Sequence, residues 1–296
     1  MQVGTSNKVG AKLKLSVLTD DTADRSFPAI RPEHGVCYHI DLGTTKVLFD
    51  LGYSGVFIEN AALLGIDLKQ VTHLCLSHGH NDHAGGLLPW IRSYEKDLSL
   101  RRPCLISHKN VFNRKLKEDP HEVETGMGID KNFIETFFHL NLTNEPFSIT
   151  DDLIFLGQID RTNDFENKNP VGKTFDVSGK LIDDFCLDDS ALIYRTEKGI
   201  VLITACSHSG ICNIIKYAEK IAKEKWEQAP HITTVIGGLH LKGNETDLLK
   251  KTAEFFKTKN IEKFYIGHCT EFKAKAYLLN LGFNIDELHV GREISF

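Results

Sequence analysis

Apolar residues recur along this chain in short runs punctuated by Gly, Asp and Asn, and between them lie longer stretches of helical spacing. Leu13, Leu15 and Val17 alternate with Lys14 and Ser16, which predicts a half-buried strand. Residues 35–40 and 46–49 predict two more strands joined by the turn Asp41-Leu42-Gly43-Thr44, so the chain opens on a three-stranded meander. Helical spacing over 57–64 stops at Gly65, the apolar run 71–76 predicts a buried strand, and 84–94 predicts a helix. Beyond it the pattern predicts a strand over 104–107, helices over 110–117 and 129–140, and a strand pair at 147–149 and 153–156. Residues 158–184 are rich in Asn, Asp, Lys and Gly and keep no period, which predicts a long loop over a site. The α/β rhythm then resumes: a hairpin of 191–195 and 200–204 about Glu197-Lys198-Gly199, a helix over 211–223, a strand over 231–236, a helix over 245–257, a strand over 263–266 and a helix over 271–281. Two β-rich passages with interspersed helices predict an α/β fold with two sequence halves in one domain over 11–296, preceded by a flexible polar leader at 1–10.

Composition narrows this picture. A chain of 296 residues with 41% hydrophobic content can bury a large core, and its formal charge of −5 argues against a broad basic face for nucleic acid. An anionic substrate would therefore need metal or local positive charge to hold it. The seven cysteines, Cys37, Cys75, Cys104, Cys186, Cys206, Cys212 and Cys269, are odd in number and show no disulfide framework, which fits reduced thiols and a cytoplasmic location. No window approaches the ~20 apolar residues of a membrane span. Residues 2–8 are polar where a signal peptide has its apolar core.

Chemistry enters at residues 77–86, which read Ser-His-Gly-His-Asn-Asp-His-Ala-Gly-Gly. Four metal-binding side chains, His78, His80, Asp82 and His83, fall within six positions on the turn between a predicted strand and a predicted helix. Packing alone gives no reason to collect three imidazoles and a carboxylate there, since they bury poorly and repel when protonated. Two imidazoles suit one divalent ion and a carboxylate plus imidazole suit another, with zinc foremost and manganese, iron or nickel compatible. A catalytic metal takes three or more protein ligands and keeps a place for water, so other segments must contribute. Three later segments put a histidine just after an apolar strand, where α/β proteins gather active-site groups: His208, His240 and His268.

The run 77–86 resembles, without a gap, the His-x-His-x-Asp-His signature of the metallo-β-lactamase superfamily, and Lys46-Val47-Leu48-Phe49-Asp50-Leu51-Gly52 resembles its early strand ending in Asp-x-Gly. The resemblance implies a four-layer αββα sandwich, two mixed β-sheets flanked by helices, with a one- or two-metal site at one edge. In that setting Asp50 supports the metal turn from behind the ligands, and His268, in Gly-His-Cys, resembles the superfamily's last ligand. His78, His80 and His208 would hold a first ion, and Asp82, His83 and His268 a second. The chain departs from the pattern at one point. Where the usual hydrolase has Gly-Asp with a carboxylate bridging two metals, this chain has Cys206-Ser207-His208. Asp184, Asp188 and Asp189 lie upstream of Ser190 as acidic residues that could approach the site, Asp189 foremost. The strings Glu33-His34-Gly35, Cys-Ser-His-Ser-Gly-Ile, Gly-Gly-Leu-His-Leu and Gly-His-Cys-Thr together resemble a subgroup of metal-dependent hydrolases. Its members include proteins described as dihydropterin-ribofuranosyl-aminobenzene phosphate synthases of methanopterin biosynthesis.

What this implies is a metallohydrolase using a metal-bound hydroxide on a phosphoester, cyclic phosphate, lactone or thioester. Asp82 would orient the nucleophilic water or accept its proton, and His240 would serve as a second catalytic group. Glu33, His34, Ser207 and Lys242 are the candidates for contacting a small anionic substrate. The alternative is a metal-dependent transferase joining a dihydropterin diphosphate to a ribosylated aminobenzene, in which no water attacks. A metal or redox protein of the flavodiiron type would replace cluster histidines with acidic ligands and carry a flavin domain, and neither is seen in this sequence.

Overall fold

In the computed structural model, which describes residues 12–117, 121–176, 178–226, 231–243 and 246–296, the apolar runs form two mixed seven-stranded sheets. The leader expected at 1–10 and the start of the helix expected at 245 lie outside the described residues. The first sheet runs, in spatial order, Glu293–Ser295, Lys14–Thr19, Cys37–Leu42, Thr45–Phe49, His73–Cys75, Cys104–Ser107 and His139–Leu142. The second runs Ile285–Glu287, Lys263–Ile266, Ile232–Gly237, Ile200–Ile203, Leu192–Arg195, Leu153–Phe155 and Phe147–Ser148. Pairing in the first sheet is antiparallel as far as Thr45–Phe49 and parallel beyond it. Pairing in the second is antiparallel from Phe147–Ser148 to Ile200–Ile203 and parallel beyond. The two sequence halves thus repeat one topology, a meander feeding a run of parallel crossovers.

Strands buried on both faces read as near-continuous apolar runs, and the side-chain period of two sorts them between layers. Val47, Phe49, Val201 and Ile203 meet between the sheets, whereas Leu48, Ile200 and Leu202 turn outward beneath helices. The helices Val56–Leu63 and Leu87–Arg101 cover the first sheet through Phe57, Ala61, Leu87 and Trp90. Ile211–Lys225, Thr246–Lys257 and Phe272–Asn280 cover the second through Ile214, Ile215, Leu249, Phe256 and Leu278. The architecture is the αββα sandwich. Among the described residues no helix is long and apolar enough to cross a membrane.

Three elements differ from the sequence pattern. Residues 110–117, expected as a helix, turn and then form the strand Lys115–Lys117, because Lys115 is drawn inside by Asp184 and Asp188. Residues 129–140 split into the short helix Lys131–Glu135, capped by Asp130, and the edge strand His139–Leu142. The expected loop 158–184 ends in the hairpin Gly172–Phe175 and Leu181–Asp184, which joins Lys115–Lys117 and Val123–Glu124 in a third, four-stranded sheet. Those two strands show no apolar alternation because their side chains are largely half-buried or exposed. The part of the loop before them is tied down by Glu166, whose carboxylate accepts the Cys212 and Asn213 N–H groups at 2.8 and 2.9 Å at the start of a helix. The strands Ile285–Glu287 and Glu293–Ser295, of three residues each, carried no readable pattern.

This topology positions the site. The parallel strands of both sheets, and Lys14–Thr19, end at one edge, so the loops after Thr19, Phe49, Cys75, Ile203, Gly237 and Ile266 converge there. Contacts between the sheets close the junction: Ser190 N donates to Ser77 O at 3.0 Å and His268 N to Asp20 Oδ1 at 3.2 Å. Gly237 sits at this edge with φ of 125°, and a Cβ there would lie 2.1 Å from Thr204 O. Gly237→Ala is expected to lower stability by about 1–3 kcal/mol, read from the midpoint of urea unfolding at unchanged m-value.

Candidate metal centre

Asp50 follows the strand Thr45–Phe49 in the left-handed region, at φ of 60°. Its fully buried carboxylate accepts hydrogen bonds from Ser77 N at 2.7 Å and Ser77 Oγ at 2.6 Å, and pairs with His83 Nδ1 at 2.7 Å. One carboxylate therefore ties both ends of the turn 77–83. A second strut holds its middle. Gly79 N donates to Asp188 Oδ2 at 2.8 Å, and Asp188 is held in turn by buried Lys115 at 2.8 Å. A Cβ at Gly79 would stand 2.1 Å from Val111 O, so the turn needs glycine there. His80 precedes the short helix Asn81–Ala84, which carries Asp82 and His83 to the other side of the turn.

His78, His80 and His208 form a first group, their ring centroids 4.6, 4.8 and 4.9 Å apart. One nitrogen of each, with Cys186 Sγ, lies within 4.8 Å of the others. His78 Nε2 and both ring nitrogens of His208 are buried and have no hydrogen-bond partner among the described residues. Burial pulls His78 and His208 well below the ordinary imidazole value, with neighbouring histidines adding to it, and burial together with Lys115 brings His80 to about 4. Orphaned buried polar atoms cost about 1–3 kcal/mol each. Neutral imidazoles with free lone pairs converging on one point are what a divalent cation takes up, so the residues fit a metal.

The second group is acidic. Asp82 Oδ2 lies 3.7 Å from His83 Nε2 and 3.6 Å from His268 Nε2. His268 is backed by Asp21, 2.9 Å from its Nδ1, as His83 is backed by Asp50. Such carboxylates orient ligating rings. Burial would raise the Asp82 carboxyl, but His83, His34 and His268 outweigh it and hold it well below its usual range. Burial would likewise lower His83, but Asp82 and Asp50 lift it to about 9. The surround that favours a proton on His83 favours a divalent cation in its place. Cys206 Sγ lies 3.2 Å from His83 Nε2 and 3.1 Å from His268 Nε2.

A profile described as the metallo-beta-lactamase superfamily matches residues 30–98, the segment that contains the whole turn. A crystal structure described as Tm1679, a metal-dependent hydrolase of the beta-lactamase superfamily, is 29% identical and superposes with a TM-score of 0.75 over 95% of this chain and 98% of that one. This chain belongs to the metallo-beta-lactamase superfamily. Two relatives come from Methanocaldococcus jannaschii. One, named 7,8-dihydropterin-6-methyl-4-(beta-D-ribofuranosyl)-aminobenzene-5'-phosphate synthase, is 27% identical over 96% of this chain and 97% of its own length. The other, described as uncharacterized, is 32% identical over 95% of this chain and 99% of its own length. The Zn(2+)-bound PqqB from Methylobacterium extorquens, 11% identical, shares the fold at a TM-score of 0.54 over 96% of this chain and all of that one.

Within the superfamily framework the remaining candidates take different places. His240 lies against His208 with ring centroids 4.4 Å apart, and its Nδ1 has no partner among the described residues. His34 joins the acidic group, its two nitrogens each 3.3 Å from Asp21 and Asp82. Asp189 Oδ2 accepts the Ser209 N–H at 2.7 Å and so props the loop carrying His208; burial raises its carboxyl to about 6. Ser207 Oγ donates to Gly238 O at 2.6 Å and ties two loops together. Glu33 is taken up elsewhere: it accepts from Tyr53 N, Ser54 N and Ser54 Oγ and is not among the residues lining the cleft. The cleft itself, about 700 Å³, has His80, Asp82, His208 and His240 among its lining residues and Lys242 on its wall.

Two contributors escaped sequence reasoning as site residues. Asp21 follows a strand at the same edge as the histidines, a position that could have flagged it. The Cys206 thiol was visible only as the lack of an aspartate. Asp188, one of the three acidic residues expected to approach the site, does so as a strut that accepts the Gly79 N–H across 109 residues, a contact for which no local signal exists.

Asp50→Ala would strand Ser77 and His83 and is expected to weaken metal binding about 10–100-fold, measured by competition with a chelating dye. Stripping metal with chelator is expected to lower the thermal midpoint and zinc to restore it, since a ligand at a hundred times its Kd contributes about 2.7 kcal/mol.

Proposed function

We propose that this chain is a metal-dependent hydrolase of small anionic molecules, phosphate esters and cyclic phosphates foremost, with lactones and thioesters within reach of the same chemistry. The observation that carries the reading is the pairing of two buried ligand groups with a cleft walled by Lys117, Lys168 and Lys242. On a chain of net charge −5, three lysines in one cleft are a local exception that suits a phosphate. Phe165 and Tyr53 also line it and offer apolar surface to a planar group.

A divalent ion at such a centre makes a water acidic near neutral pH and offsets negative charge on the substrate. Asp82, its side chain 17% exposed, lines the cleft between His83 and His268, where Oδ2 would orient the attacking water. His240 stands on the other side against His208. Burial would lower its pKa, yet Cys269 outweighs burial and raises it, which suits the ring to give a proton to the leaving oxygen. Zinc is the preferred metal because imidazoles dominate the donor set, with manganese, iron or nickel as lesser fits.

A second reading is favoured by one observation, the near full-length likeness to a protein named as a synthase. In it the lysines hold a diphosphate leaving group and a cleft of about 700 Å³ takes two reactants. Turnover in ¹⁸O-labelled water separates the two. Hydrolysis places one solvent oxygen in the product, and an unlabelled product would replace the hydrolase by the transferase. Asp82→Ala is expected to lower kcat by about 10²–10⁴, and full activity in that variant, assayed over phosphodiester, lactone and thioester substrates, would remove its catalytic role.

A further inference from the structure

We propose that Cys206 is itself a metal ligand, a thiolate lying between the two ion positions where a carboxylate is usual, and that it biases the centre toward zinc or iron over manganese. The proposal rests on the metal-centre reading above and adds the identity of the shared ligand.

Cys206 Sγ lies 3.2 Å from His83 Nε2 and 3.1 Å from His268 Nε2. It also lies within 4.8 Å of a nitrogen of His78, of His208 and of His240. Cys186 lies with the neutral group and Cys269 beside His268, whereas Cys206 is grouped with rings of both. Both rings nearest to it are fixed from behind, His83 by Asp50 at 2.7 Å and His268 by Asp21 at 2.9 Å, so each turns Nε2 to the same sulfur. A tetrahedral ion with nitrogen at about 2.0 Å and sulfur at about 2.3 Å separates those ligand atoms by about 3.5 Å. The observed separations are close to that edge.

A second observation points the same way from the other group. His78 Nε2 and both ring nitrogens of His208 are buried without a hydrogen-bond partner among the described residues, and a ring nitrogen of each residue lies within 4.8 Å of this sulfur. The neighbouring thiols are engaged elsewhere: Cys269 Sγ lies 3.3 Å from His240 N and 3.2 Å from Cys206 O, and Cys186 Sγ lies 3.5 Å from Asp188 Oδ1. Coordination replaces the S–H bond by a metal–sulfur bond and releases one proton to solvent. A thiolate is a soft donor that favours zinc and iron, whereas a carboxylate serves manganese and magnesium as well.

The test uses the full chain loaded with zinc or with cobalt(II). X-ray absorption at the zinc edge is expected to show a sulfur scatterer at about 2.3 Å beside nitrogen and oxygen at about 2.0 Å. The cobalt form should show a near-ultraviolet sulfur-to-cobalt charge-transfer band. Cys206→Asp should keep its ions, lose both sulfur signatures, and narrow the preference for zinc over manganese by about tenfold or more. Cys186→Ala and Cys269→Ala should keep them. A bound metal with only nitrogen and oxygen around it would overturn the thiolate while leaving the metal centre standing, and a chain that binds no ion would overturn both. A sulfur signature that vanishes with Cys186→Ala or Cys269→Ala would also overturn it. Should Cys206→Asp not fold, the native absorption spectrum and the other two variants decide.

Discussion

The centre depends on one buried carboxylate. Asp50 lies at the end of a strand with no solvent around it, and an isolated charge there would be prohibitively costly. It is stable because the turn at 77–83 supplies three partners, the backbone and hydroxyl of Ser77 and the ring of His83. Hydrogen bonds to a charged group contribute about 1.5–3 kcal/mol each. The dependence is mutual, for without Asp50 the turn has nothing to set the orientation of His83. Lys115 and Asp188 repeat the arrangement on the opposite side, a buried ion pair whose spare oxygen holds Gly79.

Around these struts the backbone is strained where it delivers function. Asp50, Ser207, His240 and His268 all hold positive φ without being glycine, and each lies in a loop that leaves the edge of a sheet at the site. Such conformations cost about 1–3 kcal/mol apiece and persist only where the surroundings over-determine them. Here the surroundings are two sheets packed face to face, with Val47, Phe49, Val201 and Ile203 locked in one core layer. A rigid sandwich offsets the strain, and the loops at its edge can hold imidazoles in positions that a free chain would not populate.

The repeated topology explains why neither half suffices. The first half supplies His78, His80, Asp82 and His83 from a single turn, and the second supplies Cys206, His208, His240 and His268 from three successive loops. Packing the sheets brings both sets to one edge. Neutral imidazoles then stand close to the acidic pair of Asp82 and Asp21, with Cys206 beside rings of both groups, so that two different electrostatic environments sit side by side.

Much of this was legible beforehand, for reasons that are physical. Strands buried on both faces must be apolar, so Val47 to Phe49 and Ile200 to Ile203 announced themselves, and the clustered ligands at 77–83 had no packing explanation. Local pattern failed where long-range partners decided the outcome. Lys115 reads as a solvated helix residue until Asp184 and Asp188 draw it inside, and the hairpin at 172–184 reads as loop because its side chains stay half in water. Cys206 reads as one apolar thiol among seven until two imidazoles close on it. The sequence by itself determined the α/β pattern and the His and Asp ligand types, since these follow from burial and from donor chemistry, and its motif at 77–86 carried the resemblance that implied the family and its layers. Which groups converge on one point, which carboxylate backs which ring, and that the Cys206 sulfur lies beside both His83 and His268 were decided only by tertiary structure. Those relations join residues far apart in the chain, and no local pattern encodes a distance across two packed sheets.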